Sequence, residues 1–209
     1  MADYPIELDA ALAGRLQRAI DVEAKIPRAL ETLGPVAGRD VYLVDGPPGG
    51  IRATQLEALG ARVVAGGPIQ GTPAPDVADG SIDVVVGCWT PFRGVVAAEM
   101  AEVARILRPG GRLLAVHDYG RDDVSRLHGQ RPEYSEWSRR DGPFLRGGFK
   151  IRVIHCFWTF ESIEDGQGFL ADAFGGPGRE LGAAMTRPRL SYNVAVYHRS
   201  FDGPPPTLA

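Results

Sequence analysis

The N-terminal part of the chain carries a hydrophobic repeat of helical period. Its apolar residues recur every fourth position, at Leu8, Leu12, Leu16 and Ile20. This spacing predicts an amphipathic helix with one apolar face. Pro27 interrupts the pattern, so we expect it to kink or split the helix. Leu30 and Leu33 extend the apolar face until Gly34 and Pro35 end it. We therefore predict a helical segment within residues 1–38.

The remainder of the chain alternates short apolar runs with longer amphipathic stretches. The runs predict strands over residues 41–44, 61–65, 82–86, 112–117, 150–160 and 191–200. Helices are predicted over residues 51–59, 95–107 and 162–174, the last with Ser162 as its N-cap. The Arg-Pro-Gly-Gly run at residues 108–111 predicts a sharp turn. Such alternation is typical of an α/β fold, a doubly wound and mostly parallel sheet with helices on both faces.

One domain accounts for the length of 209 residues. Within it we distinguish the helical segment, a nucleotide-binding-like core at 39–120, a cover loop at 121–148, the C-terminal part of the sheet at 149–201 and a tail at 202–209. The cover loop lacks a strong hydrophobic period, so we expect a loop or a partly helical segment. The proline-rich tail is predicted to be disordered.

Composition excludes several functional classes. Lys and Arg total 23 against 26 Asp and Glu, a net charge of −3, which argues against a generally basic nucleic-acid binder. Cys88 and Cys156 cannot form a disulfide framework, and no Cys/His cluster indicates a metal site. The acidic start lacks the features of a signal peptide, and no apolar run is long enough to span a bilayer. We therefore expect a cytoplasmic protein without a membrane partner.

Two stretches resemble a known family. Residues 79–85, Asp-Gly-Ser-Ile-Asp-Val-Val, look like the entry to the fourth strand of class I S-adenosylmethionine (SAM)-dependent methyltransferases, of the methyltransferase type 11 kind. Residues 102–116, EVARILRPGGRLLAV, are similar to that family's next helix, turn and fifth strand. The resemblance implies a Rossmann-like, seven-stranded sheet whose last strand is antiparallel. It also implies SAM as cofactor and a small molecule as methyl acceptor.

The predicted cofactor loop departs from the family pattern. The family has an acid and alternating glycines after its first strand, where this chain reads Asp-Gly-Pro-Pro-Gly-Gly at residues 45–50. Glycines leave room for a ligand, whereas the two prolines remove N–H donors. The region after the second strand holds no carboxylate for the ribose, and Gln70 stands where an acid commonly accepts the adenine amino group. By resemblance, the cofactor would be bordered by Asp45, Gly46, Gly49, Gly50, Gly66 and Gln70.

Residues after the next two predicted strands are candidates for the substrate site. Trp89 and Phe92 could stack on a flat substrate and Arg93 could hold an anion; alternatively, these aromatics plug the edge of the sheet. His117 could act as a general base oriented by Asp118, since histidine titrates near neutral pH, or Asp118 could itself be the base. Tyr119 lies beside them. The alternative is a rim histidine satisfied by solvent or backbone.

Arginine and aromatic side chains interleave within residues 121–146, a pattern found in nucleic-acid-binding segments. Acidic residues dilute its charge, which favours a substrate lid or an oligomer contact, and a homodimer is compatible with the sequence. Two functions therefore stay open. One is a SAM-dependent methyltransferase acting on a small molecule. The other is a degenerate relative that has lost SAM and serves as a binding or scaffolding subunit.

Overall fold

A computed structural model describes residues 6–47, 49–69, 77–127, 129, 131 and 136–202. Its helices are α1 (Ala10–Ala19), α2 (Lys25–Leu33), α3 (Ile51–Ala58), α4 (Ala97–Ile106), α5 (Asp123–Leu127), α6 (Pro143–Arg146) and α7 (Ile163–Ala183). Its strands are β1 (Asp40–Val44), β2 (Arg62–Gly66), β3 (Ile82–Cys88), β4 (Leu107–Asp118), β5 (Lys150–Thr159) and β6 (Arg189–Phe201). No helix in these ranges is long and apolar enough to cross a membrane.

The strands form one mixed sheet in the order β2-β1-β3-β4-β6-β5. Neighbours from β2 to β4 pair in parallel, whereas β6 runs antiparallel to both β4 and β5, as expected for the last strand. The described chain thus supplies six strands where seven were expected. The Gly- and Pro-rich connection between β2 and β3 contains no strand in its described residues, 67–69 and 77–81. Within these described residues, Gly67 and Pro68 disfavour strand pairing.

Helices cover both faces of the sheet, as the alternating pattern predicts. One apolar cluster joins the sheet to α1, α2, α3, α5 and α7, through residues such as Leu16, Leu30 and Leu56. A second cluster joins the other face to α4 and α6, through Val103 and Phe144. The strands alternate between the clusters, since successive side chains of a strand point to opposite faces. We call these the α3 face and the α4 face.

The N-terminal helical segment breaks before Pro27. Helix α1 ends at Ala19, and α2 begins at Lys25. The Asp21 carboxylate accepts from the backbone N–H groups of Lys25 at 3.0 Å and Ile26 at 2.7 Å. Pro27 therefore lies in the first turn of α2, where a missing N–H costs nothing because first-turn N–H groups have no intrahelical acceptor. The prediction of two helices was right, but the proline does not cause the break.

The Arg-Pro-Gly-Gly run forms an excursion within β4. Leu107 pairs with Ile82, while Arg112 pairs with Val84, so extra residues of β4 bulge out between them. Gly110 has a φ of 82°, a conformation that favours glycine. The residues of the predicted turn therefore form a bulge within β4.

Helix α7 is longer than predicted. Ser162 Oγ accepts from Asp165 N at 3.1 Å, which confirms the predicted N-cap. Beyond the predicted end at residue 174, a kink at Gly175 (φ 60°) leads into a further helical stretch.

Candidate functional site

The candidate site lies where β1, β3 and β4 end at their carboxyl edge. Open α/β sheets bind ligands in the crevice outside these strand ends. Asp45 follows β1, Trp89 follows β3 and Asp118 is the last residue of β4. The parallel pairing of these strands brings the three side chains to one edge of the sheet.

The connection from β1 to α3 is a compact turn. Asp45 has a φ of 57°, in the left-handed region, and Gly49 has a φ of 69°. Gly50 donates its N–H to the carbonyl of Pro47 at 2.9 Å and is the N-cap residue of α3. A Cβ at Gly46 would lie 2.4 Å from the Leu43 side chain, so only glycine fits there. Pro48 lies outside the described residues. The loop thus places Asp45 and the start of α3 at the ligand edge.

Trp89, Asp118 and Tyr192 form a hydrogen-bonded group on the α3 face. Asp118 Oδ1 accepts from Trp89 Nε1 at 2.9 Å and from the Tyr192 hydroxyl at 2.6 Å. Tyr192 is fully buried, and burial together with the Asp118 charge raises its pKa well above its usual value. Tyr192 therefore remains protonated and acts as a donor. The carboxylate of Asp118 is held by two donors from two different elements.

Arg52 completes this group and is the functional candidate that sequence analysis missed. Its guanidinium carbon lies 4.8 Å from the centre of the Trp89 ring. The side chain is 1% exposed, and Nη1 donates to Gln55 Oε1 at 2.7 Å. Its Nε and Nη2 atoms have no hydrogen-bond partner among the described residues. Buried N–H groups are normally paired, so these two nitrogen atoms are an exception that calls for an explanation.

A signal for Arg52 does exist in the sequence. Arg52 and Leu56 are four residues apart in α3, and positions at this spacing share one helix face. Leu56 belongs to the buried cluster, so a residue on the same helix face, such as Arg52, is expected to point toward the core as well. A charged residue on the apolar face of a helix next to a ligand edge deserves a functional hypothesis.

His117 lies on the other face of the sheet from Asp118. Its ring is 4% exposed and packs in the α4 face against Trp137, with ring centres 5.2 Å apart, and Phe144, at 6.3 Å. Burial, followed by the nearby Arg93 charge, lowers the His117 pKa to about 3. The expectation that Asp118 orients His117 is therefore wrong, because adjacent strand residues point to opposite faces. His117 is neutral at physiological pH and enclosed by aromatic rings.

The predicted substrate residues after β3 separate in the same way. Trp89 lies on the α3 face, whereas Phe92 is 2% exposed and packs into the α4 cluster. Arg93 donates to the carbonyl of Thr90, and its guanidinium lies 4.6 Å from the centre of the Trp137 ring. The structure thus places Trp89, but not Phe92 or Arg93, beside Arg52 and Asp118. We call Arg52, Trp89, Asp118 and Tyr192 the Arg52–Asp118 group. Phe92 occupies the position of a core aromatic.

The remaining predicted positions lie at the margins. Tyr119 donates its backbone N–H to Asn193 O at 2.9 Å and packs on the α4 face. Gly66 ends β2, and a Cβ there would lie 2.2 Å from the Tyr42 ring. The Tyr42 hydroxyl donates to Gly67 O at 3.0 Å, which holds that ring in place. Gln70 lies outside the described residues. The described residues contain no group of His, Cys, Asp and Glu that could hold a metal ion.

Comparison with solved structures finds proteins that share this fold. The chain is similar to two proteins described as putative methyltransferases. With the type II enzyme of Anaeromyxobacter dehalogenans it shares 18% identity, covering 84% of this chain and 96% of that one, with a TM-score of 0.55. With the protein of Bacillus halodurans C-125 it shares 14% identity, covering 86% and 100%, at a TM-score of 0.48.

A third similar structure is geranyl diphosphate C-methyltransferase from Streptomyces coelicolor A3(2), solved with Mg²⁺, geranyl diphosphate and S-adenosyl-L-homocysteine. It is 14% identical, with 90% of this chain and 82% of that chain covered and a TM-score of 0.47. No family model matches the chain. No curated protein matches its sequence either. At these identities the comparisons establish the fold alone.

Proposed function

We propose that this chain is a SAM-dependent methyltransferase that acts on a small molecule. The observation that carries the proposal is the buried Arg52 guanidinium, with two unpartnered nitrogen atoms, at the ligand edge of a methyltransferase-like sheet. A buried charge without a full set of partners is costly. Such a cost is explained when a ligand anion supplies the missing partners.

The residues at this edge fit the amino-acid part of SAM. Arg52 would bind the carboxylate, and Asp45, half-buried at the end of β1, would bind the ammonium group. Gly46, Gly49 and Gly50 would let the backbone approach the ligand closely. When bound, SAM supplies a methyl group activated on a sulfonium centre.

The fit to the ribose is poorer. Residues 65–68 read Ala-Gly-Gly-Pro and offer no carboxylate to the ribose hydroxyls. The Tyr42 ring also fills the space beside Gly66 that a side chain would need. We therefore expect the amino-acid end to contribute more of the binding free energy than the ribose. Gln70 stays our candidate for the adenine amino group.

Asp118 is our candidate for the base that accepts a proton from the methyl acceptor. Asp118 lies on the α3 face, as Arg52 and Trp89 do, whereas His117 lies on the α4 face. The Trp89 and Tyr192 donors fix its orientation. Trp89, half-buried beside it, would position a flat acceptor by stacking, and catalysis would then depend mainly on alignment of the acceptor with the methyl group.

Calorimetric titration of the full chain with SAM and with S-adenosylhomocysteine tests the proposal. We expect saturable binding, weakened at least tenfold in Arg52→Gln, since a hydrogen bond to a charged group contributes about 1.5–3 kcal/mol. Arg179→Gln, which alters an exposed arginine of α7, is the matched control and should bind as the wild type does. Thermal melts would verify that both variants are folded.

Two results would overturn the proposal. One is the lack of any heat or thermal shift at millimolar SAM, which would favour the binding or scaffolding subunit. The other is undiminished affinity in Arg52→Gln, which would place the cofactor elsewhere.

A further inference from the structure

A cavity lies at the start of β6, apart from the Arg52–Asp118 group. Its volume is about 360 Å³, within the range of small-molecule sites. It opens between α5, the C-terminal end of α7 and the first residues of β6. The residues that define its character are Arg126, Phe157, Leu181, Arg187, Arg189 and Leu190.

The walls of this cavity are positively charged in a protein whose net charge is −3. Three arginines face one carboxylate, Asp123. Asp123 is already engaged, since its Oδ2 accepts from Ser191 N at 2.9 Å and from Ser191 Oγ at 2.6 Å. Its other oxygen lies 3.3 Å from Arg126 Nη1. Neither Arg187 nor Arg189 forms an ion pair with a described residue. The cavity therefore carries an excess of positive charge.

Contacts with neighbouring residues hold the arginine-bearing elements in place. Arg189 lies with its guanidinium carbon 4.5 Å from the centre of the Phe157 ring, a cation–π contact that holds it against the cavity. Two aspartates tether α5 to β6, Asp123 through Ser191 and Asp122 through the backbone N–H of Asn193 at 2.9 Å. Arg126 of α5 and Arg189 of β6 are thus held on secondary structure, whereas Arg187 lies in the bend that precedes β6.

Apolar side chains form another part of the lining, beside the polar Thr186 and Ser191. Leu190 is buried, Phe157 and Leu181 are half-buried, and Met185 lies beside them. A ligand that fills the cavity would place an apolar group on these side chains and an anionic group on the arginines. Guanidinium groups bind carboxylates and phosphates through paired N–H donors.

We propose that this cavity binds a small amphipathic anion, namely a carboxylate or phosphate attached to an aromatic or aliphatic group. The site is distinct from the crevice proposed for SAM and does not depend on that proposal. The arginines would bind the anionic group of the ligand, and the apolar side chains would contact its aromatic or aliphatic group.

Titration of the full chain with four probes tests this inference. The amphipathic anions are phenyl phosphate and octanoate, and the half-ligands are inorganic phosphate and 1-octanol. We expect at least one of the anions to bind tenfold or more tightly than both half-ligands, with an affinity that falls as salt is raised. Chemical-shift changes in NMR spectra should centre on residues 181–191 and 123–127.

Variants assign the site. Arg187→Gln combined with Arg189→Gln should weaken binding of the anionic probe at least tenfold, and Met185→Gln should weaken it through loss of apolar contact. Arg179→Gln and Arg52→Gln should leave it unchanged. Equal binding of phenyl phosphate, octanoate and the half-ligands would overturn the inference. So would undiminished binding by the folded double variant, or loss of binding in Arg52→Gln, which would move the probe to the other crevice.

Discussion

The guanidinium of Arg52 lies 4.8 Å from the centre of the Trp89 ring, and Trp89 in turn donates its indole N–H to Asp118. This contact links the first turn of α3 to the ends of β3 and β4. A charge, an aromatic face and a carboxylate thereby meet at the ligand edge of the sheet. Burial of Arg52 is nevertheless costly for the unliganded protein, because two of its nitrogen atoms lack partners among the described residues.

The first prediction concerns stability. Arg52→Met removes the buried charge and its unpaired N–H groups while filling similar volume, so the free energy of unfolding should rise. Each of the two unsatisfied N–H groups costs about 1–3 kcal/mol. The lost cation–π contact offsets about 1 kcal/mol and the lost hydrogen bond to Gln55 about 1.5–3 kcal/mol, which leaves a gain of about 1 kcal/mol. Urea denaturation would measure it.

While the stability of Arg52→Met should rise, its affinity for SAM should fall. Arg52→Met should bind SAM at least tenfold more weakly than the wild type, as for a residue retained for function at a cost in stability. A loss of stability beyond 1 kcal/mol together with unchanged SAM affinity would show that Arg52 serves the fold alone.

The second prediction concerns the shared acceptor Asp118. Trp89→Phe and Tyr192→Phe each remove one donor from Oδ1; the tyrosine variant keeps its ring, whereas the tryptophan variant carries a smaller aromatic ring. Each should lower the free energy of unfolding by about 1.5–3 kcal/mol. The double variant should lose more than the sum of the two, by about 0.5 kcal/mol or more, since it removes both the Trp89 and the Tyr192 donor from a buried carboxylate. Denaturant titrations of the four proteins give the coupling.

Trp137→Phe provides the matched control for this cycle. Trp137 packs on the α4 face, away from Tyr192, so Trp137→Phe combined with Tyr192→Phe should be additive within about 0.5 kcal/mol. Additivity of Trp89→Phe and Tyr192→Phe as well would contradict the shared role of Asp118.

The third prediction is a pH dependence that His117 imposes. Its pKa falls to about 3 in the folded protein, against about 6.5 in the unfolded chain. The unfolded chain therefore binds an extra proton when the pH drops below about 6.5. The His117 contribution to stability is complete above that pH and is lost progressively down to about pH 3, with a slope approaching 1.4 kcal/mol per pH unit.

His117→Leu should remove that slope, measured as the difference in unfolding free energy between variant and wild type from pH 7 to pH 4. His198 is less buried, and burial lowers its pKa too, so His198→Gln is the control and should remove a smaller part of the slope. Identical pH profiles for His117→Leu and the wild type would mean that the ring is solvated.

The fourth prediction tests the crowding at the end of β2. In Gly66→Ala the new Cβ would meet the Tyr42 ring at 2.2 Å, and Tyr42 is buried and hydrogen-bonded to Gly67 O. We expect a loss of about 1–3 kcal/mol, the usual cost of overpacking. Gly67→Ala is the control, because nothing lies within 4 Å of its added Cβ. Equal melting temperatures for the two variants would contradict the closed geometry at Gly66.

Local patterns determined most of the secondary structure. The four-residue apolar repeat predicts α1, and the short apolar runs predict the strands to within a few residues, because buried faces select side chains at the period of each element. Ser162 and the Arg-Pro-Gly-Gly run also act locally, as a cap and as an excursion. The extra helical stretch after Gly175 depends on long-range packing, which periodicity does not register.

In the candidate site too, the sequence determined one part and the tertiary structure another. The alternation of strand side chains already determines, in the sequence alone, that His117 and Asp118 point to opposite faces. Only the tertiary structure decided which face holds Arg52 and Trp89 and which is closed by Trp137 and Phe144. That choice depends on contacts between residues far apart in the chain, and it places Asp118 at the ligand edge and His117 among aromatic rings.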